Sequence, residues 1–204
     1  MEQAYHIQIT TQALGTAFSQ RALQSILEAN LRQDRLRGQI GHPEYHFDDS
    51  RFAESYAYME RQRQAISPAL GAGMRQPAWQ AFGRLLHCAQ DFYAHSNYVH
   101  LWLEGRRPVP PTEQIEPLEM AILNSAALAS GRIYFVEALA LLGLKSQVRR
   151  LLPKDAHAWT NLDTPERGPL FPYALAAAEK RTRLEHERVA AALTAQQQVL
   201  FYDF

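Results

Sequence analysis

The chain has 204 residues, 47% hydrophobic and 21% charged, with 10 glycines and 11 prolines, which excludes collagen-like, low-complexity and disordered classes. Lysine plus arginine balances aspartate plus glutamate at 21 each, so no net field draws the protein to nucleic acid or to an anionic bilayer. A single cysteine, Cys88, rules out intramolecular disulfides and cysteine-rich zinc folds, and the eight histidines leave imidazole and carboxylate as the available metal ligands.

Apolar residues recur at three- and four-residue spacing with almost no period-two alternation, which predicts an all-α protein. Thr10 or Thr11 is placed to cap a first helix, and Ser19 to cap its continuation, where Ala22, Leu23, Ile26, Leu27 and Leu31 form an apolar stripe. Gly38, Gly41 and Pro43 stop it, and Arg37 to Ser50 reads as a loop rich in potential ligands. Asp49 or Ser50 caps a helix near Arg51 to Ile66, broken by Pro68 and the glycines Gly71 and Gly73. From Pro77 a long helix runs through Trp79, Phe82, Leu85, Leu86 and Phe92 to about Leu103. Gly105, Pro108, Pro110 and Pro111 make a stiff connector. Pro117 to Leu144 then gives one or two helices interrupted around Ser130 and Gly131, Pro153 to Pro172 a second polar loop, and Ala174 to Thr194 a last helix. No linker is long or polar enough to separate two units, so residues 1–204 read as a single-domain helical bundle.

Met1 to Leu14 carries no cationic segment leading into an apolar run, so no secretory signal is visible and cytoplasmic residence is the default, with export by another route left open. The most apolar stretch, Ile133 to Leu144, contains Glu137 and falls well short of the roughly 20 residues that span a bilayer.

Within the long helix His87, Asp91 and His95 stand four residues apart. Each such step rotates only about 40° and rises about 6 Å, so the three heads share one face. Two imidazoles flanking a carboxylate make a metal ladder whose central Asp91 can bridge two cations; a buried polar network is the alternative. Cys88 is turned off that face and reads as a small core residue. His46, between Tyr45 and Asp48, brings another imidazole close to Asp34 and Asn30, while Asp48 and Asp49 also suit helix caps.

In chain order, His6 with Ile9, Ala13 and Leu14; Ala29, Asn30 and Asp34; His46, Phe47 and Asp48; His87 and Asp91; and His95 with Ser96 and Asn97 resemble the zinc-dependent phospholipase C superfamily, which includes the single-strand-specific zinc nucleases. Leu86 to Tyr98 is most similar to its HET-C-like members. The resemblance covers about half of the chain. It implies a metal cluster between long helices and two ligand-bearing loops, with zinc held by His6, Asp34, His46, His87, Asp91, His95 and His157. His100, Asp163 and Glu166 are the other candidates for the last ligands. Two or three zinc ions are implied; two is the better-supported number, because the family's N-terminal tryptophan is missing, and His95 matches less closely than His87 because the Asp91-to-His95 spacing is two residues shorter than the phospholipases use.

The activity so implied is phosphodiester hydrolysis by a metal-activated water, with Asp34 as the catalytic carboxylate that orients or deprotonates it. Tyr45, Phe47, Phe92, Tyr93 and Tyr98 would rim the site for a phospholipid substrate at a membrane or micelle surface. A phospholipase C is favoured over a single-strand nuclease because no basic cluster flanks the ligands, and no stable nucleic-acid complex is expected. The reading from a third class is a metal-stabilised helical module without catalysis, acting on membranes or partner proteins.

Overall fold

The computed structural model describes residues 1–39, 41–134 and 152–204, and over these residues the fold is all-α. The helices are α1 (Gln3–Leu14), α2 (Gln20–Leu31), α3 (Leu36–Gln39), α4 (Phe52–Gly71), α5 (Arg75–His95), α6 (Tyr98–Leu103), α7 (Met120–Leu123), α8 (His157–Thr160), α9 (Phe171–Ala191) and α10 (Ala195–Tyr202). Extended pairing among the described residues is limited to two isolated bridges, Ser96 with Ser130 and Arg132 with Ala156.

Helix α5 is the axle. Every residue from Leu85 to His95 is buried, as expected of a helix surrounded on all sides. Helices α2, α4 and α9 pack around it, and α1 lies across α9 and α2. Contact with α2 is close because position 83 is glycine: a Cβ there would collide with the Ile26 carbonyl and lie 2.9 Å from the Ala29 Cβ. That approach carries Asn30, at the end of α2, to His87. Helix α10 closes the far end, where the Trp79 indole donates to the Phe201 carbonyl at 2.7 Å and Phe201 packs edge-on against Phe82.

Several expected boundaries move. Helix α1 starts at Gln3 with no side-chain cap, so Thr10 and Thr11 lie inside it. Ser19 does cap α2, its hydroxyl accepting from the Ala22 amide. Helix α4 passes through Pro68, whose missing donor removes one bond near the helix end. Neither Asp49 nor Ser50 caps α4: Asp49 accepts from the Ile133 amide and Ser50 pairs with Ser130. The long helix breaks at Ser96, where the backbone turns extended, so α5 ends on His95 and α6 follows separately. Helix α10 was not foreseen, although Thr194 and Gln197 form a reciprocal capping box at its start. Of the helices expected over Pro117 to Leu144, α7 is observed, and residues 135–144 lie outside the described residues.

Candidate metal centre

Five segments deliver side chains to one place. Helix α5 presents His87, Asp91 and His95, and α1 brings His6. The end of α2 and the 3-10 turn Arg32–Asp34 bring Asn30 and Asp34, the loop before α4 brings His46 and Asp48, and the segment around α8 brings His157 and Asp163. His6, His87 and Asp91 are wholly buried, and His46 and His95 are 4% and 6% exposed. The edge nearest solvent is formed by Asp34, His157 and Asp163, whose side chains are 12%, 20% and 22% exposed.

The inner half of the cluster is a convergence of acceptors. The Asp91 Oδ2 lies 2.9 Å from His46 Nδ1 and 3.0 Å from His87 Nε2, and these two nitrogens are 3.0 Å apart. Asp34 Oδ1 stands 3.6 Å from His87 Nε2, and the second Asp34 oxygen is buried with no hydrogen-bond partner among the described residues. The opposite ring nitrogens are already committed as donors. His46 Nε2–H donates to the Gly38 carbonyl at 3.3 Å, and His87 Nδ1–H to Asn30 Oδ1 at 3.2 Å. In the neutral rings, both remaining nitrogens therefore aim lone pairs at a carboxylate oxygen. Burial pushes the His87 imidazole down to about 4 against the pull of Asp91, so it is neutral at ordinary pH.

The outer half repeats the pattern around Asp91 Oδ1, which is 3.2 Å from His6 Nε2 and 2.6 Å from the Met1 nitrogen. His6 Nδ1–H donates to Gln90 Oε1 at 2.6 Å, leaving a buried Nε2 with no hydrogen-bond partner among the described residues. His95 Nδ1–H donates to the His46 carbonyl at 2.8 Å, turning Nε2 toward Asp163 Oδ1 at 3.1 Å. His157 Nδ1 meets Asp48 Oδ1 at 2.9 Å, which turns its Nε2 toward Asp163 Oδ2 at 3.8 Å. Here, unlike within, cationic groups are at hand. Burial opposes protonation of His157, yet Asp48 lifts it to about 9; burial and the Met1 ammonium oppose protonation of His95, yet Asp91 and Asp48 raise it well above the usual range. Burial pulls the Met1 amine down, but Asp163 and Asp91 more than offset it, to about 11. Burial alone would push Asp48, Asp91 and Asp163 up; the surrounding positive groups hold all three well below the ordinary carboxylate value.

The seven residues expected as ligands converge here: His6, Asp34, His87 and Asp91 form one group able to hold an ion, His95 and His157 another with Asp48, while His46 meets Asp91 and His87, and Asp163 meets His95. His100, exposed on α6, and Glu166, exposed in the turn Pro165–Arg167, do not. The aromatic rim is corrected: Phe47, Phe92, Tyr93 and Tyr98 are core residues no more than 2% exposed, and Tyr45 stacks between His42 and Tyr58. Cys88 is buried as expected, its thiol pushed well up by burial. The sequence reading gave Gln90 no role and Thr10 only that of a cap, yet Gln90 accepts from His6 and donates to Thr10 at 3.0 Å.

Fold and site together define an all-α protein with buried histidine–aspartate groups positioned to hold a metal ion. Residues 1–115, more than half of the chain, match the family described as the VWA7 N-terminal domain, and the chain belongs to that family. It is 36% identical over 100 residues to von Willebrand factor A domain-containing protein 7 of Rattus norvegicus, covering 47% of this chain and 11% of the relative. The identity to its Homo sapiens counterpart is 36% over 87 residues, covering 43% of this chain and 10% of the relative. The chain thus spans about a tenth of the length of the curated relatives it matches. No solved structure matches.

These matches correct the resemblance to the zinc-dependent phospholipase C and nuclease superfamily, including its HET-C-like members. The expected phospholipase C or nuclease activity falls with it, which leaves the catalytic role expected of Asp34 and the phospholipid substrate without support. The physical reason is that His-x3-Asp-x3-His and a loop histidine are what metal coordination asks of any helical scaffold, so they report ligand geometry and not ancestry or reaction. No helix among the described residues is long and apolar enough to cross a membrane.

Proposed function

We propose that this chain is a metal-stabilised helical module in which two divalent cations of the zinc class, bridged by Asp91, pin α1 and two loops onto α5. The reading is supported chiefly by one observation: Asp91 Oδ2, His46 Nδ1 and His87 Nε2 stand 2.9–3.0 Å from one another while the opposite nitrogen of each ring faces a carbonyl oxygen to which it donates. Three facing acceptors repel unless a cation lies among them. Bonds of about 2.0–2.1 Å at tetrahedral angles separate ligand atoms by roughly 3.3 Å, close to the spacings here, and nitrogen with carboxylate oxygen suits zinc.

The inner ion takes His46, His87, Asp34 and Asp91 Oδ2; the outer takes Asp91 Oδ1 with His95, His157 and Asp163, with His6 and the Met1 nitrogen adjoining. Two dications offset the four carboxylates Asp34, Asp48, Asp91 and Asp163. Ligand free energy of this kind is folding free energy, because the unfolded chain has no preformed site. The ions thereby do for this cysteine-poor chain what disulfides do elsewhere. The module includes residues beyond the family match, since α9 packs on α5 and His157 and Asp163 complete the cluster.

The test is thermal unfolding of protein purified without chelator, before and after dialysis against a strong chelator and after return of zinc. A melting temperature that falls by about 10 °C or more, and recovers with zinc, is expected; an unchanged one overturns the reading.

A further inference from the structure

We propose that Gln90 is a positioning residue that fixes which ring nitrogen of His6 and of His87 is left free for a cation, by relaying a hydrogen-bond direction set on α9. The inference rests on the metal reading above and adds to it the device that orients two of the ligands.

The direction can be followed bond by bond. The Thr182 hydroxyl donates to the Ala178 carbonyl one turn back along α9 at 2.8 Å, so it can only accept from its other neighbour. That neighbour is the Gln90 amide nitrogen, which donates to Thr182 Oγ1 and to Thr10 Oγ1, each at 3.0 Å. The Gln90 carbonyl is thereby turned the other way, where it accepts from His6 Nδ1 at 2.6 Å and from the Asn30 amide nitrogen at 3.1 Å. Asn30, oriented in its turn, offers its carbonyl to His87 Nδ1 at 3.2 Å. Thr10, Asn30, His6, His87, Gln90 and Thr182 are all 0% exposed, so water cannot substitute for a broken link. Both histidines end with the proton on Nδ1 and the Nε2 lone pair aimed at Asp91, one on each carboxylate oxygen. Partners that hold the distal nitrogen of a ligating histidine set its tautomer, and losing one costs about 10- to 100-fold in metal affinity. His46 and His95 are held by backbone carbonyls and stand outside the relay, which makes them an internal control.

Long-range proton–nitrogen correlation spectra of the chelator-treated full chain report each histidine's tautomer, and cobalt(II) titration reports affinity through the metal's visible absorption. In the wild type His6 and His87 are expected as Nδ1–H tautomers. Gln90→Leu should release both, leave His46 and His95 unmoved, and weaken cobalt binding 10- to 100-fold. Gln90→Glu, which can still accept from His6 and Asn30, should retain both tautomers and most of the affinity. Thr182→Val, close in shape to threonine, serves if Gln90→Leu does not fold, and should shift the same two rings. Unmoved tautomers, or shifts spread equally over His46 and His95, overturn the relay. A wild type that takes up no cobalt overturns the metal reading instead.

Discussion

The inner half of the cluster is set in helices and buried amides, whereas the outer half is closed by the segment around α8. Within, His87 is carried by α5, held by Asn30 of α2, and kept neutral by burial, so its Nε2 lone pair faces Asp91 Oδ2 and His46 Nδ1 at 3.0 Å, a spacing a cation among them would satisfy. Outside, His95 and His157 bind protons strongly and the Met1 amine adds a further positive charge, so ion pairs alone can hold that half together. The difference teaches that crowded acceptors around a neutral buried imidazole mark a candidate metal position more sharply than a count of histidines does. The inner half also falls within the matched residues 1–115, while His157, Asp163 and Thr182 lie beyond them.

The comparison can be broken most forcefully at Asp91, the residue both halves share. Asp91→Asn should release more than one metal equivalent, measured by elemental analysis of the purified variant; full stoichiometry in that variant would remove the bridging role. Next in size, His87→Ala should empty the inner position and lower the melting temperature markedly, whereas His157→Ala should empty only the outer one at a smaller cost in stability. Equal losses from the two variants would erase the distinction between the halves.

Two glycines permit the same contrast without touching a ligand. A Cβ at Gly83 collides with the Ile26 carbonyl of α2, whereas one at Gly131 would meet Thr160 Oγ1 and lie 2.7 Å from the His157 Cα. Overpacking of this kind costs about 1–3 kcal/mol. Gly83→Ala should weaken inner-ion retention and Gly131→Ala the outer, each read as chelator-stripping half-lives of the two equivalents. The smallest effect concerns α9, whose Glu185 accepts from Arg63 and from Arg181, each at 2.7 Å. Burial alone would push Glu185 up, but Arg181 and Arg63 hold it below its ordinary value of 4.5. A lowered folded-state value means that its contribution is present above that ordinary value and is lost as pH falls through the lower one. Urea midpoints should therefore drop in that acid range, and Glu185→Gln should flatten the drop.

Helices were legible wherever a face was consistently apolar, as in α2, α4 and α5. Their ends were less so, because the break at Ser96 depends on pairing with Ser130 and the start of α1 uses no capping side chain. The convergence of these histidines and aspartates was legible because a helix displays residues four apart on one edge and because a buried His or Asp needs a partner. What the spacing could not convey was the shell behind them. Gln90 is rotated off the ladder's edge, Thr182 stands 92 residues away along the chain, and their meeting exists only once α9 has packed on α5. The reaction was not legible at all, since the same ligand pattern serves holding a fold as well as breaking a bond.

The most direct measurement is anomalous X-ray scattering at the zinc absorption edge from crystals of protein purified without chelator. A strong peak enclosed by Asp91 Oδ2, His46 Nδ1, His87 Nε2 and Asp34 is the predicted result. Ordered water in that position, or imidazole and carboxylate groups in direct contact with no peak between them, would contradict it.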